Sequence, residues 1–385
     1  MADTVHGHCA VRFEPLRQAF TTLIDSGADL GASMALTIDG EFVVDLWGGH
    51  TDEAKTEAWQ RDTITHVWST TKTMVALCAL SLVDRGELDL EAPVARYWPE
   101  FAANGKAGIL VRHLLAHTSG VPGWAEPITT EDLFDWDKCT TLLAAQSPWW
   151  QPGTASGYQA LNHGHMVGEV IRRITGLKTG AFFAEQFAQP LGADFHIGLA
   201  PSEFHRVAKV VPPPPLPIPF DQLPPDSPML RVFTNPAAPA EASWGSAWRQ
   251  ADLGAFNGHG NARSVAQLQS IIACGGELGG QRWLKPETVA RIFEPQAEGV
   301  DLVLGAPLKL GIGYGLPLAA ITPYLPDGRT AFWGGWGGSM VLADTERRLC
   351  FSYMMNKMAP GIVGGPNVAG LVACLYDLVR PAVKG

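Results

Sequence analysis

Hydrophobic and polar positions along the 385-residue chain change their period more than once. Near the N-terminus Phe13, Leu16, Phe20, Leu23 and Ile24 recur at helical spacing and Gly27 follows them, which predicts a helix over 11–27. Strand-like runs come next, at 32–38 and 41–47. Asp39-Gly40 between them is a preferred two-residue hairpin turn. The far end has the same texture. Residues 329–336, 339–343 and 348–355 read as strands, with turn chemistry at Asp344-Thr345-Glu346, and a helix is predicted over 364–379.

The middle is different. Stretches 66–85, 110–116, 131–146, 161–175 and 178–189 read as helices with few strand signals between them, and 264–274 and 286–294 are further short helices. The simplest architecture is α/β of the α+β kind. An antiparallel sheet from both chain ends is flanked by N- and C-terminal helices, and a mostly helical region is inserted between its halves. On this reading 1–65 and 240–385 form a discontinuous α/β domain, 66–239 the mostly helical one, and the active site lies between them. Segment 211–228 is proline-dense, so it is expected to be a stiff, extended loop, either a rigid connector or the wall of a substrate cleft.

Composition narrows the function. Hydrophobic residues make up 46% and charged residues 17%, an ordinary soluble pattern, and the net charge of −10 comes without any basic stripe. Nucleic acid and anionic membrane surfaces are therefore not expected partners, and no apolar run is long enough to span a bilayer. The first twenty residues lack a basic segment followed by an apolar one. Cys9, Cys78, Cys139, Cys274, Cys350 and Cys374 are scattered without CxxC spacing. Free thiols in a reducing compartment follow, and with them a cytoplasmic protein. The oligomeric state stays open.

The candidate chemistry starts at His66-Val-Trp-Ser-Thr-Thr-Lys-Thr-Met-Val-Ala-Leu77. From Thr71 to Val83 apolar side chains fall on every face, the mark of a helix buried in the middle of a domain. Ser69 stands at its start, near free backbone N–H groups, and Lys72 falls on the same face three residues on. An alcohol needs a base beside it to act as a nucleophile. A lysine at its reference pKa near 10.4 is only about 0.04% neutral at pH 7, and burial lowers that value. This S-x-x-K is the only one in the chain. The same spacing marks serine β-lactamases and penicillin-binding proteins.

Two further stretches carry a resemblance. Pro152-Gly153-Thr154 is followed by Tyr158, expected to open a helix whose apolar face begins at Leu161. This resembles the tyrosine motif of class C β-lactamases and their esterase relatives. Val111-Arg-His-Leu-Leu-Ala-His-Thr-Ser-Gly120 resembles another segment of that group, and Phe332-Trp-Gly-Gly-Trp-Gly-Gly-Ser339 stands where the lactamases carry lysine-threonine-glycine. Family VIII carboxylesterases often show Trp-Gly-Gly there. The likeness runs in order from Leu36 to Asn356. It implies a β-lactamase-like fold, Ser69 as nucleophile and Lys72 with Tyr158 sharing the proton work. It does not assign the acylation base to one of the two. It further implies an oxyanion hole from the backbone N–H groups of Ser69 and Trp336, with Trp333, Gly334 and Gly335 on the substrate-binding strand. No cofactor and no metal are implied.

Departures from the lactamase pattern point to the substrate. Tyr158-Gln159-Ala160 lacks the asparagine of the lactamase motif, and Trp333 replaces a lysine suited to an anionic substrate. Both favour a neutral ester, with weak β-lactam hydrolysis as a side activity. An acyltransferase, an amide or β-lactam hydrolase, and a non-catalytic ligand-binding protein of the same fold stay open as alternatives. His113 and His117, four apart, have no obvious third ligand and read as structural. His163 and His165 should point to different sides of their helix, and Gly258-His259-Gly260 reads as a structural turn before a helix capped by Ser264. G-x-S-x-G does not occur, so an α/β-hydrolase elbow is not expected.

Overall fold

The strand-like runs at the two ends of the chain pair into one sheet. In the computed structural model, which describes residues 4–215, 220–361 and 364–379, the strands are β1 (Val5–Cys9), β2 (Gly31–Ile38), β3 (Glu41–Gly49), β4 (Thr330–Gly334), β5 (Met340–Asp344) and β6 (Leu349–Met355). Their order is β1-β3-β2-β6-β5-β4, antiparallel throughout. The turn joining β2 to β3 puts Asp39 at φ 53° and Gly40 at φ 83°, the positive pair that matches strand twist. The central strands β2 and β6 are buried on both faces, which is why they read as continuous apolar runs rather than clean alternations.

The alternation decides what packs on each face. One face of β2 and β6 presents small and hydroxylic side chains, and helix α4 (Ala262–Ala273) lies close against it. Ser33 Oγ accepts from the Ala262 N–H at 3.0 Å, Ser352 Oγ donates to the Ala262 carbonyl at 2.5 Å, and the Thr37 and Ser270 hydroxyls meet at 2.7 Å. The other face carries large residues. There Tyr353 meets Phe20 of helix α1 (Glu14–Asp25) edge to face, and α1 packs on the last helix, α5 (Pro366–Val379). Helix α2 (Lys72–Asp84) sits farther in, against helix α3 (His163–Thr175), with Met74 through Leu82 buried.

Several expectations need correction. β1 was not anticipated; its sequence is Val-His-Gly-His-Cys, an edge strand whose side chains are mostly exposed, so no apolar run announces it. The hairpin of Ala297–Val300 and Pro307–Leu310 was missed for the same reason. The helix expected over 66–85 is a short strand, Ile64–His66, then a 3₁₀ turn, Trp68–Thr71, then α2. Residues 178–189 begin as Thr179–Phe183 and widen into a π turn, Ala184–Ala188, ahead of Pro190, whose missing N–H disfavours a regular α ladder. The cap of α4 is Asn261, which takes the Ser264 N–H at 3.0 Å; Ser264 is its reciprocal partner. His259–Gly260 is a short strand rather than a turn. Part of the proline-rich segment, 216–219, lies outside the described residues; 212–215 carry no regular structure.

Phe20 is fully buried between α1 and the sheet. Phe20→Ala should lower the free energy of unfolding by about 3–5 kcal/mol in urea titrations, and a loss below about 1 kcal/mol would remove this contact from the core.

Candidate active site

The apolar sides of α2 leave its first residue, Lys72, nowhere to reach solvent, and it is 1% exposed. Its Nζ lies 3.1 Å from Ser69 Oγ, 3.2 Å from the Tyr158 hydroxyl, and 2.9 Å from each of the Ala160 and Ala255 carbonyl oxygens. The Tyr158 hydroxyl donates to Ser69 Oγ at 2.6 Å. The structure thus brings the three expected residues into one triangle. Sequence reasoning missed the two carbonyls, because every residue type carries one. Gly164 makes the second available: a Cβ there would lie 2.5 Å from the Ala255 nitrogen, so only glycine lets α3 come this close.

Four acceptors surround an amine that has three protons when charged and two when neutral. Two protons given to the carbonyls leave the neutral amine's one lone pair to accept from the Ser69 hydroxyl, whose oxygen in turn takes the Tyr158 proton. Burial holds the Lys72 pKa well below its ordinary value and is the one cause resolved. Burial pushes the Tyr158 phenol well above its own; the Ser69 hydroxyl and Trp333 indole oppose this, and the charge of Asp301 adds to it. His117 and His163 behind Tyr158 are held well below the ordinary histidine value by burial, and Lys72 contributes. Both rings are therefore neutral at pH 7. His117 Nδ1 accepts the Gln159 N–H at 3.2 Å, a structural role, and no group of His, Cys, Asp and Glu among the described residues could hold a metal.

Tyr158 does not open a helix. It lies five residues ahead of α3, and the backbone around it is tied instead to distant partners, the His117 carbonyl for the Gly157 N–H and the Asp301 carboxylate for the Tyr158 N–H. Ser69 is presented by a strained turn. Trp68, just before it, has φ 49°, a left-handed backbone that costs an aromatic residue about 1–2 kcal/mol. Its ring is wedged between His66, at 4.2 Å, and Trp336, at 4.9 Å. Neither signal was read from the sequence, although aromatic residues on both sides of the nucleophile were there to see.

The 333–336 strand end divides its residues between roles. Trp333 stacks on His117 at 5.4 Å and packs against Tyr158 at 5.9 Å. With Gly334 it lines a small apolar cavity of about 20 Å³ beyond Tyr158. Gly335 touches the nucleophile turn: a Cβ there would lie 2.3 Å from the Val67 carbonyl and 2.2 Å from Ser339 Oγ. The Ser339 hydroxyl in turn donates to the Val67 carbonyl at 2.8 Å. Trp336 lines the cavity that holds Ser69. Among the described residues, neither the Trp336 nor the Ser69 N–H is taken by an acceptor of the protein. That cavity, of about 200 Å³, is walled by Trp68, Ala160, Leu161, Phe220, Val232, Phe233, Pro236, Ala238, Phe256 and Trp336, with Ser69 and Tyr158 its polar groups. Phe220, inside the proline-rich segment 211–228, supplies part of the wall, and Val232, Phe233, Pro236 and Ala238, which follow that segment, supply more.

Fold and site together define a β-lactamase-type serine enzyme scaffold. The β-lactamase family profile matches residues 16–372, and the chain belongs to that family. It is 32% identical over 400 residues to the esterase/beta-lactamase LipL of Mycobacterium tuberculosis, covering 98% of this chain and 88% of that protein. Esterase EstB of Burkholderia gladioli is 29% identical, over 88% of this chain and 89% of its own. A crystal structure of a family VIII carboxylesterase superposes with a TM-score of 0.91 at 39% identity, covering 97% of this chain and 100% of that one.

Because the turn and the strand meet at Gly335, Gly335→Ala should force them apart. Turnover is expected to fall by about 100-fold, the cost of roughly an ångström of misplacement, in a protein that still folds by circular dichroism. Unchanged turnover would show that this contact does not place Ser69.

Proposed function

We propose that this protein is a serine hydrolase that cleaves short-chain carboxylic esters through an acyl-enzyme on Ser69. The observation that carries the reading is the triangle of Ser69 Oγ, Lys72 Nζ and the Tyr158 hydroxyl, closed at 2.6 to 3.2 Å inside an apolar cavity. Neutral Lys72, with Tyr158 as relay, takes the Ser69 proton as Oγ attacks the ester carbonyl. The Ser69 and Trp336 N–H groups receive the oxyanion. The proton then passes to the departing alcohol oxygen, and water repeats the sequence on the acyl-enzyme.

The walls favour an uncharged acyl group. Among the described residues no lysine or arginine lines the cavity, and Ala160 supplies a methyl where lactamases carry an amide. The named esterases among the relatives support the same substrate class. We further read the chain as a sheet domain from its two ends with the helical region inserted, the cleft lying between them. Its working partner is then a small-molecule ester. All six cysteines are free thiols, which fits the reducing cytoplasm, and no helix among the described residues is long and apolar enough to cross a membrane.

Ser69→Ala should abolish hydrolysis of p-nitrophenyl butyrate, and Lys72→Ala and Tyr158→Phe should each lose at least about 100-fold in kcat. Wild-type rates in Ser69→Ala would end the proposal. Nitrocefin should be turned over far more slowly than the ester.

The pH profile follows from the buried amine. Protonating Lys72 removes the base, so kcat/KM should fall as pH drops through its lowered pKa and hold on the alkaline side of it. A profile with no acid limb anywhere in the range where the protein stays folded would exclude Lys72 as the base, since a group that must lose its proton to work leaves such a limb.

A further inference from the structure

Tyr158 has no helix to fix it, so something else must hold its hydroxyl against Ser69 and Lys72. Three successive backbone N–H groups there are each taken by a residue far away in sequence. Gly157 donates to the His117 carbonyl at 2.9 Å, Tyr158 to Asp301 Oδ1 at 3.0 Å, and Gln159 to His117 Nδ1 at 3.2 Å. His117 belongs to a segment already singled out in the sequence. Asp301 does not, and it carries no motif.

Asp301 sits in the loop between Ala297–Val300 and Pro307–Leu310 and is 0% exposed. Its Oδ1 accepts three N–H groups at once: Tyr158 at 3.0 Å, Val303 at 2.9 Å and Leu304 at 2.9 Å. Two of these shape its own loop, and so does its backbone, whose N–H donates to the Ala306 carbonyl at 2.9 Å. The oxygen is therefore fixed relative to the hairpin before the third bond is considered. That third bond crosses to Tyr158. A second tie, the Leu302 N–H to the Ser156 carbonyl at 3.0 Å, keeps the two segments in register. The other carboxylate oxygen, Oδ2, is buried and meets no hydrogen-bond partner among the described residues. A buried carboxylate with no ion pair among the described residues is costly, and here its hydrogen bonds all come from backbone N–H groups that must stay in place.

We propose that Asp301 is a positioning residue for the reaction: its Oδ1 clamps the backbone of Tyr158 and so holds the phenol in reach of Ser69 and Lys72. The inference rests on the reading of Tyr158 as part of the proton-transfer group. Asp301 touches neither substrate nor reacting atoms and acts only through Tyr158. The acceptor oxygen matters more than the charge, because an asparagine side chain keeps a carbonyl oxygen able to take the same three N–H groups.

The test is a double-mutant cycle on p-nitrophenyl butyrate, with active serine counted by phosphonate labelling run to completion. Asp301→Ala should lower kcat per titrated serine by about 100-fold and leave KM within about threefold. Asp301→Asn should stay within about fivefold of wild type, the acceptor being retained. In a Tyr158→Phe background Asp301→Ala should cost less than about threefold more, because the two act as a unit. Full additivity in that background, or turnover in Asp301→Ala within about threefold of wild type, would overturn the proposal. Should the alanine variant fail to fold, the asparagine variant decides: a loss of about 100-fold with a native thermal midpoint would overturn it equally. Wild-type turnover in Tyr158→Phe alone would instead remove the catalytic reading of Tyr158, whatever Asp301→Ala does.

Discussion

The interaction on which the site depends is the burial of one amine. Lys72 Nζ is enclosed by two backbone carbonyls and two hydroxyls, at the head of a helix with no polar face. Keeping an ammonium there would cost several kcal/mol of lost hydration. Burial therefore favours release of its proton, and in the proposed mechanism the deprotonated amine is the base. Much of the surrounding structure follows from this. Helix 72–84 must be apolar all round to exclude water. The loop at Ala255 must pass close enough to offer its carbonyl, which demands glycine at 164 on the facing helix. The turn before Lys72 must bring Ser69 to the same point, and it does so through a left-handed tryptophan.

That strain is held by hydrogen bonds and by packing: the Val67 N–H donates to the Gly258 carbonyl at 2.9 Å, the Thr71 hydroxyl donates to the Trp68 carbonyl at 2.5 Å, and the ring is enclosed. Trp68 is 4% exposed and lies among His66, Trp248 and Trp336, with ring centroids at 4.2, 6.2 and 4.9 Å. Aromatic packing of this kind contributes about 0.5–1.5 kcal/mol per pair beyond burial, enough to offset an unfavourable backbone of about 1–2 kcal/mol. In the proposed mechanism Trp336 therefore has two functions that do not compete. Its ring braces the turn and walls the cavity, while its backbone N–H meets no protein acceptor among the described residues.

How much of this was legible in the sequence depended on where each feature stores its information. The central strands and the Asp39-Gly40 hairpin were legible because both rest on side-chain pattern and turn chemistry. Ser69 and Lys72 were legible because the spacing itself places them on one helical face. Tyr158 was found by its motif, yet its helix was misplaced, because the backbone at 157–159 is committed to His117 and Asp301 and those partners lie 40 and 143 residues away. The Ala160 and Ala255 carbonyls were beyond reach for a plainer reason: a carbonyl leaves no mark on residue type. The strand Val5–Cys9 was missed because an exposed edge needs no apolar alternation.

The departures at 333 and 160 bear on the base as well as on the substrate. In the lactamases that the 332–339 stretch resembles, a lysine occupies the place of Trp333, and a second cation near Lys72 would also lower its pKa. Here that cation is missing. An indole stacked on a neutral His117 takes its place, and burial is the one cause resolved for the shift at Lys72. Base strength is thus separated from recognition of an anionic group. A carboxylate bound close by would strengthen the hold of Lys72 on its proton; at about 4 Å, with an effective dielectric near 20, the interaction is about 4 kcal/mol. That would weaken the base at the moment of attack. A neutral ester brings no such charge. Apolar walls and a base tuned by burial alone are therefore one arrangement: the substrate that fits the cavity is also the one that leaves its amine unprotonated.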